Sequence, residues 1–539
     1  MAISHLSDPS VYKKVPRMSA QTIERKINEV WRTTASDRCV KTSVTKSYIS
    51  TNTDIPAFYC LIKTHKDGPQ LKVRPIISNK NGPSMRLSWL LSRLLKPLLN
   101  TVPAHLENSM QLIEDIRGLE SRGGANFVYP FSLDVVALYT SIPPAEAINA
   151  VKEKLQGDAN NQHIRPFSPQ QVADMLGVIF KNSFLTFNGM VFKQIGGLPM
   201  GNSVSGILAI LYMDALEKTV LNSCRNIGLY RRYVDDVLLI TTTKEEAEGI
   251  FKKFNEHTPE IQFEIEHPEE KDGIRSLALL DFELRLGEDS KASFSFYKKA
   301  AKRDIFPHFS SAMPLTTKNA SILNEVKRIS ERCTDEQDRA AKLSDFQKVL
   351  NNRGYPKDTV DRARRRGRHR DRKPRESQVF FQMPFFNDAT QWKLRKIFKE
   401  AELPVTLYNK STTLRATLRA KLQRDSKSSK CDLDDCPMDA SGLCLTRNCV
   451  YQLTCRMCGE FYIGSSIRHL HTRVREHYKS DRSSVFQHRK KCLSSFDIGI
   501  LARSNDMKCL RFKEAIAIQE KTPKINSRSE CDDLSRMTF

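Results

Sequence analysis

The stretch Tyr230-Arg-Arg-Tyr-Val-Asp-Asp-Val-Leu-Leu-Ile240 constrains the fold more than any other. Aromatic and branched residues flank it on both sides, Tyr230, Tyr233 and Val234 before, Val237 to Ile240 after. Such flanks have high strand propensity, and the acidic pair between them predicts a hairpin tip. Two adjacent carboxylates there, Asp235 and Asp236, cost desolvation and mutual repulsion unless a cation neutralises them. The alternative is a solvated turn that needs no ligand.

A third acid sits in a similar setting. Asp134 lies in Phe-Ser-Leu-Asp-Val-Val-Ala-Leu-Tyr-Thr, flanked by Phe131, Leu133, Val135 and Val136, and this segment (127–144) reads as a strand stopped by a proline pair. One acid on a first strand and two at a later hairpin tip are able to converge. Nucleotidyl transfer uses such a set, with two divalent ions roughly 3.5–4 Å apart activating a 3′-hydroxyl and neutralising pyrophosphate. All-oxygen ligands suit Mg2+ (or Mn2+). Read singly, Asp134 is equally a surface strand acid.

Other segments fit the same chemistry. Tyr139, five residues after Asp134 at the far end of that strand, is placed to press on an incoming sugar and to clash with a 2′-hydroxyl. Gly201, in Gly-Leu-Pro-Met-Gly-Asn-Ser (197–203) before a long helix, lets backbone approach a primer or base pair closely. Arg74, in Lys-Val-Arg-Pro-Ile-Ile-Ser, offers a planar fork for a triphosphate, or a surface salt bridge.

The chain has 539 residues with a formal net charge of +24 and 40% hydrophobic residues. That length predicts several domains, and so basic a balance points to a polyanion, most simply nucleic acid. No stretch approaches a membrane span, and there is no apolar signal segment. The cysteines number 13, and nine of them fall between residues 431 and 531, marking a separate C-terminal unit of thiol or metal-ligand character. Residues 361–375 hold eight arginines and read as a solvated arm that would neutralise phosphates or serve as a nuclear import signal.

In this order, the segments Tyr-Cys-Leu-Ile-Lys-Thr-His-Lys-Asp-Gly-Pro-Gln-Leu-Lys-Val-Arg-Pro-Ile-Ile-Ser, the Asp134 strand, the 197–214 loop and helix, the Asp-Asp hairpin, Ala-Leu-Leu-Asp-Phe-Glu-Leu and 294–311 resemble a reverse transcriptase, more narrowly that of Penelope-like retroelements. The resemblance implies an α+β multidomain chain, with a right-hand fingers, palm and thumb polymerase fold related to the catalytic subunit of telomerase. It assigns Asp134, Asp235 and Asp236 as the metal triad and Tyr139 as the sugar gate. The family's further acidic-lysine-glycine segment upstream of the fingers is missing, which fits a shortened copy.

Toward the C-terminus, Cys455-Arg-Met-Cys458 has the spacing of a zinc knuckle, with histidines at 469, 471, 477 and 488. Around it, two strand-like pieces carry Tyr451 and Tyr462, and helices carry Arg473 and Glu514, with Asn526 beyond. This set resembles the GIY-YIG nucleases as carried by Penelope-like elements, although the first glycine of the motif is replaced in Cys449-Val450-Tyr451. By the resemblance, a small α/β nuclease domain follows, in which the two tyrosines and Arg473 act on a scissile phosphate, Glu514 holds one metal, Asn526 supports, and Cys455, Cys458, His477 and His488 bind zinc, Zn2+. Without it, the tyrosines are core aromatics and Glu514 a surface acid. Cys431, Cys436, Cys444 and Cys449 form a candidate second zinc set, or remain free thiols.

The expected organisation is an N-terminal helical segment (1–50), fingers and palm (51–300), thumb (301–355), basic linker (356–430) and nuclease (431–539). The expected function is RNA-directed DNA synthesis in the nucleus on template RNA, from dNTPs, primed by nicked target DNA. The alternative is a catalytically inactive or domesticated nucleic-acid-binding derivative.

Overall fold

Alternating apolar residues through 129–135 and 227–241 build the central sheet of the computed structural model. It describes residues 2–16, 18–62, 73–121, 126–157, 161–287, 291–299, 305–367, 379–383, 385–409, 436, 438, 443–504 and 507–527. The chain divides into two units, 1–410 and 411–539.

In the first unit, a five-stranded sheet runs in the order β1-β6-β5-β2-β3, where β1 is Tyr12–Val15, β2 Ala57–Ile62, β3 Val73–Ser78, β5 Phe184–Phe187 and β6 Met190–Gln194. The central sheet runs β7-β8-β4-β9, all antiparallel, with β4 Tyr129–Val135, β7 Ile227–Tyr233, β8 Asp236–Thr241 and β9 Phe263–Glu266. Side chains alternate across it. Phe131, Leu133, Val237, Leu239 and Phe263 enter a core shared with helices Pro144–Gly157, Pro169–Lys181 and Ser205–Asn222. Leu229, Leu238 and Ile240 face the other way, into a core with helix Ser109–Ser121 and a sheet of β10 (Glu269–Lys271), β11 (Ile274–Leu279), β12 (Phe282–Leu286) and β13 (Ala292–Phe296).

The N-terminal 50 residues are not a purely helical appendage. β1 pairs with β6, and Ile23, Ile27 and Trp31 of the helix Ala20–Asp37 join the main core. Helices Leu315–Arg332, Glu336–Asn351 and Thr359–Gly367 share a core of their own. The start of the arginine-rich run is therefore not a free arm, because Val360 and Ala363 are buried in that core. The rest of the run, 368–375, lies outside the described residues. A parallel unit follows, with β14 (Val379–Met383) and β15 (Val405–Asn409) joined by the helix Asp388–Glu400. Among the described residues, no helix is long and apolar enough to cross a membrane.

The second unit carries a three-stranded antiparallel sheet, β17-β16-β18, with β16 Cys449–Cys455, β17 Phe461–Ser466 and β18 Phe496–Arg503. Helices Leu470–Lys479, Ser484–Cys492 and Met507–Lys521 complete it.

Candidate active sites

The hairpin forms as its sequence dictates, with Val234 and Asp235 as the tip and Val234 in the left-handed region at φ 58°. In register, Asp134 of β4 stands opposite Asp236 of β8, and the Val135 N–H donates to the Asp235 carbonyl at 3.2 Å. Asp134 therefore meets Asp235 and Asp236, which lie 101 and 102 positions later in the chain, at one end of the central sheet. Desolvation in this crowded corner, then the charge of Asp235, push the Asp236 carboxyl up to about 6, although solvent still reaches the side chain. Such mutual repulsion is what a bound cation relieves.

A fourth acid joins them without any signal in the primary sequence. Glu264 of β9 is the register partner of Asp134 on its other side, so Asp236, Asp134 and Glu264 form a row across three strands. Only the pairing reveals it.

An open cleft of about 1300 Å³ lies at this corner, lined by Arg74, Asp134, Tyr139, Gly201, Asp235 and Glu264, with Asp236 outside its lining. Arg74, on β3, is exposed and makes no ion pair among the described residues, so the surface salt bridge is not formed there. Tyr139 does not stand on the strand. β4 ends at Val135, Ala137 turns left-handed at φ 52°, and Tyr139 rides a short helix, Leu138–Ser141. Burial, then Asp235, raise the Tyr139 phenol's pKa, and Arg74 across the cleft opposes them. The 197–203 loop is pinned from both sides. The Leu198 N–H donates to the Tyr139 carbonyl at 2.6 Å and the Ile77 N–H to the Met200 carbonyl at 2.8 Å. Gly201 sits at φ 117°, and a Cβ there would stand 2.2 Å from the Ile77 carbonyl oxygen, so no side chain fits this wall.

Arg232 supports the tip from beneath. It is fully buried, ion-paired to the equally buried Glu217, and it donates to the carbonyls of Val234 at 3.2 Å and Ile210 at 3.1 Å. Burial pushes the Glu217 carboxyl up, and Arg232 is the group that opposes it.

The second unit assembles its own cluster. In register, Tyr451 of β16 faces Gly464 of β17, and the Tyr451 and Tyr462 rings lie 6.4 Å apart. Gly464 is required by contact, because a Cβ would come within 2.8 Å of the Tyr451 hydroxyl. Burial raises the Tyr451 phenol's pKa, and a hydrogen bond and charge from Arg473 pull it back. Glu514 accepts a 2.6 Å hydrogen bond from Ser465 and is near enough to Tyr451 to add to its rise. Asn526 does not enter this group: its amide donates to and accepts from the backbone of Ile463, clamping the edge of β17.

His477 is not with the zinc-type ligands. It is buried, its Nε2 lies 2.8 Å from the Tyr451 hydroxyl and its Nδ1 2.8 Å from the Ser483 hydroxyl. Both nitrogens are engaged, so a metal has no lone pair to take. Burial, then Arg473, lower its pKa to about 4. The ring belongs to the tyrosine cluster, one helical turn from Arg473, a spacing legible in the sequence. Cys492 stands where His477 was expected: the ligand atoms of Cys455, Cys458, His488 and Cys492 all lie within 4.8 Å of one another. Three sulfurs and one imidazole nitrogen in this spacing fit a closed tetrahedral zinc site. Desolvation is outweighed there by the Cys458 N–H and by His488, which lower the Cys455 thiol, while burial and the neighbouring Cys458 and Cys455 sulfurs raise that of Cys492, a repulsion that a bound cation would relieve. Of the proposed second zinc set, Cys431 lies outside the described residues. Cys436, Cys444 and Cys449 form no ligand group among the described residues.

Comparison with known proteins places these features. Residues 64–271 match the reverse transcriptase (RNA-dependent DNA polymerase) family. Residues 305–365 match the animal helix-turn-helix domain, over the stretch expected as a thumb (301–355) and the start of the expected basic linker. The telomerase reverse transcriptase of Euplotes aediculatus is 37% identical over 78 residues, 13% of this chain and 8% of that protein. That of Oxytricha trifallax is 38% identical over 78 residues, 13% of this chain and 7% of that protein. The chain thus spans a small fraction of these relatives' length. A solved telomerase from Candida albicans with a fragment of telomeric RNA aligns at 11% identity, covering 67% of this chain and 59% of that one, with a TM-score of 0.46. The acids Asp134, Asp235 and Asp236 all lie inside the matched segment, and the chain carries a reverse transcriptase domain over residues 64–271.

Proposed function

We propose that this chain is the RNA-directed DNA polymerase of a Penelope-like retroelement, and that its C-terminal unit is a GIY-YIG-type DNA-nicking endonuclease that supplies the primer. The observation that carries the reading is the register pairing of Asp134 with Asp236 beside Asp235, at a cleft that Asp134, Asp235 and Arg74 line together.

The donor set is all oxygen, and burial, then the Asp235 charge, raise the Asp236 carboxyl, a cost that a bound cation would relieve. Asp134, Asp235 and Asp236 therefore fit divalent magnesium or manganese. Bound there, these ions would lower the pKa of a primer 3′-hydroxyl and neutralise the leaving pyrophosphate. The chain's own residues do the rest. Arg74 holds the triphosphate by charge-assisted hydrogen bonds. Tyr139 packs on the sugar and excludes a 2′-hydroxyl. The Gly201 backbone forms a wall with no side chain between primer terminus and β3. Arg232 fixes the hairpin tip, so that Asp235 and Asp236 need no reorganisation when substrate arrives.

In the second unit, Glu514 fits a single hard cation, and Arg473 is placed to stabilise charge developing on a scissile phosphate. The Tyr451 hydroxyl, oriented by its 2.8 Å contact with neutral His477, would exchange a proton with the attacking water or the leaving oxygen. A nick leaves a 3′-hydroxyl, and the polymerase cleft consumes one. Template RNA, target DNA and dNTPs are the partners of this target-primed sequence, and the nucleus its place. A supercoiled-plasmid nicking assay tests the nuclease half: the full chain should nick with Mg2+, and Glu514→Ala should not. Equal nicking by that variant would remove the endonuclease from the account.

A further inference from the structure

The parallel unit at 379–409 leaves an outer helix face that the functions above do not use. In the helix Asp388–Glu400, Gln391 is buried and Leu394 and Phe398 are half-buried, with the Phe398 ring 6.2 Å from Phe381 of β14. Trp392 points the other way and is 64% exposed. From Gln391 to Lys399 the charged residues are Lys393, Arg395, Lys396 and Lys399, and Glu400, which ends the helix, lies 3.5 Å from the Lys396 ammonium. All four basic residues are exposed, and the Lys396 ammonium lies over the Trp392 ring at 5.6 Å. Phe386, 68% exposed, precedes the same helix.

An exposed ring beside cations is a surface complementary to a ligand that is both flat and anionic. A second copy of this chain would bring one net-positive face against another, which opposes self-association. Single-stranded RNA meets both features: bases stack on the ring and phosphates meet the cations. A duplex offers phosphates but no free base faces. We propose that the Trp392 face of this helix is a stacking platform for single-stranded RNA, the form in which a template is presented ahead of copying. The last clause rests on the polymerase reading; the platform itself does not.

The test is binding of the full chain to a labelled RNA 20-mer without secondary structure, an oligo(dT) 20-mer and a 20-base-pair DNA duplex at one fixed salt concentration. Trp392→Ala should weaken RNA binding by about 5- to 150-fold, the range for one lost base–aromatic stack. Trp392→Phe should recover most of it, and duplex binding should stay within about twofold. Because Trp392 is exposed, folding should be unchanged by circular dichroism. Unchanged RNA affinity, an equal loss on duplex, a loss confined to oligo(dT), or a dimer that Trp392→Ala dissociates would each overturn the proposal. The outcome is independent of primer extension, so failure of the polymerase reading leaves it separately decidable.

Discussion

Replacing Glu217 with Gln removes one charge from a pair the fold has taken wholly out of water. Arg232 is 0% exposed and Glu217 2%, and the guanidinium also holds the carbonyls of Val234 and Ile210. Breaking such a buried pair from one side typically costs about 3–5 kcal/mol, because the remaining charge is left uncompensated. Replacing both partners by apolar residues of similar volume is often near neutral. Glu217→Gln should therefore lower the unfolding free energy of this core by about 3 kcal/mol or more, and Glu217→Leu with Arg232→Met should recover most of that loss. The double variant should still extend primers poorly, since nothing then holds the Val234 carbonyl at the tip. Urea unfolding reports the first effect through Trp31, 1% exposed in the same core, and primer extension reports the second. A Glu217→Gln variant within about 1 kcal/mol of wild type, the range of an exposed pair, would refute the reasoning.

Three further outcomes follow from the two sites. Tyr139→Ala should raise ribonucleotide incorporation relative to deoxynucleotide by about 10- to 200-fold, read from competing rNTP and dNTP in primer extension. Cys492→Ser should lower the zinc content of the purified chain, and His477→Gln should leave it unchanged, as measured by mass spectrometry of bound metal. His477 also predicts a pH signature. Its pKa falls from 6.5 to about 4 on folding, so between those values the unfolded state binds the extra proton. Stability of the second unit is then lost as pH drops below about 6.5, reaching about 3 kcal/mol near pH 4, and His477→Gln should flatten that part of the slope at fixed excess zinc.

What the sequence disclosed followed from local pattern. Strand propensity around Asp235 and Asp236, the strand carrying Asp134 and the loop-to-helix change after Gly201 all appear as residue order predicts. Tyr139 was displaced from strand to helical turn by a left-handed Ala137, a conformation that local propensity does not announce. Glu264 was invisible, because its role comes from register with Asp134 rather than from its neighbours in the chain. His477 and Cys492 exchanged places for a similar reason. Both lie at helical spacings from plausible partners, and only three-dimensional packing decides that His477 reaches Tyr451 while Cys492 closes on His488. The arginine-rich run looked like a solvated arm because charge dominates its composition, yet Val360 and Ala363 at its start bury enough apolar surface to hold a helix. The parallel unit at 379–409 lies within the stretch expected as a basic linker (356–430), since two short strands separated by a long helix carry little periodicity of their own.

Primer extension on poly(rA)/oligo(dT) with Mg2+ or Mn2+ tests the central assignment most directly, run with wild type beside Asp134→Asn and Asp235→Asn. The account predicts extension by wild type and none detectable from either variant, with all three folded alike. Extension that survives the loss of either carboxylate, or a folded wild type inert with both metals, would contradict it.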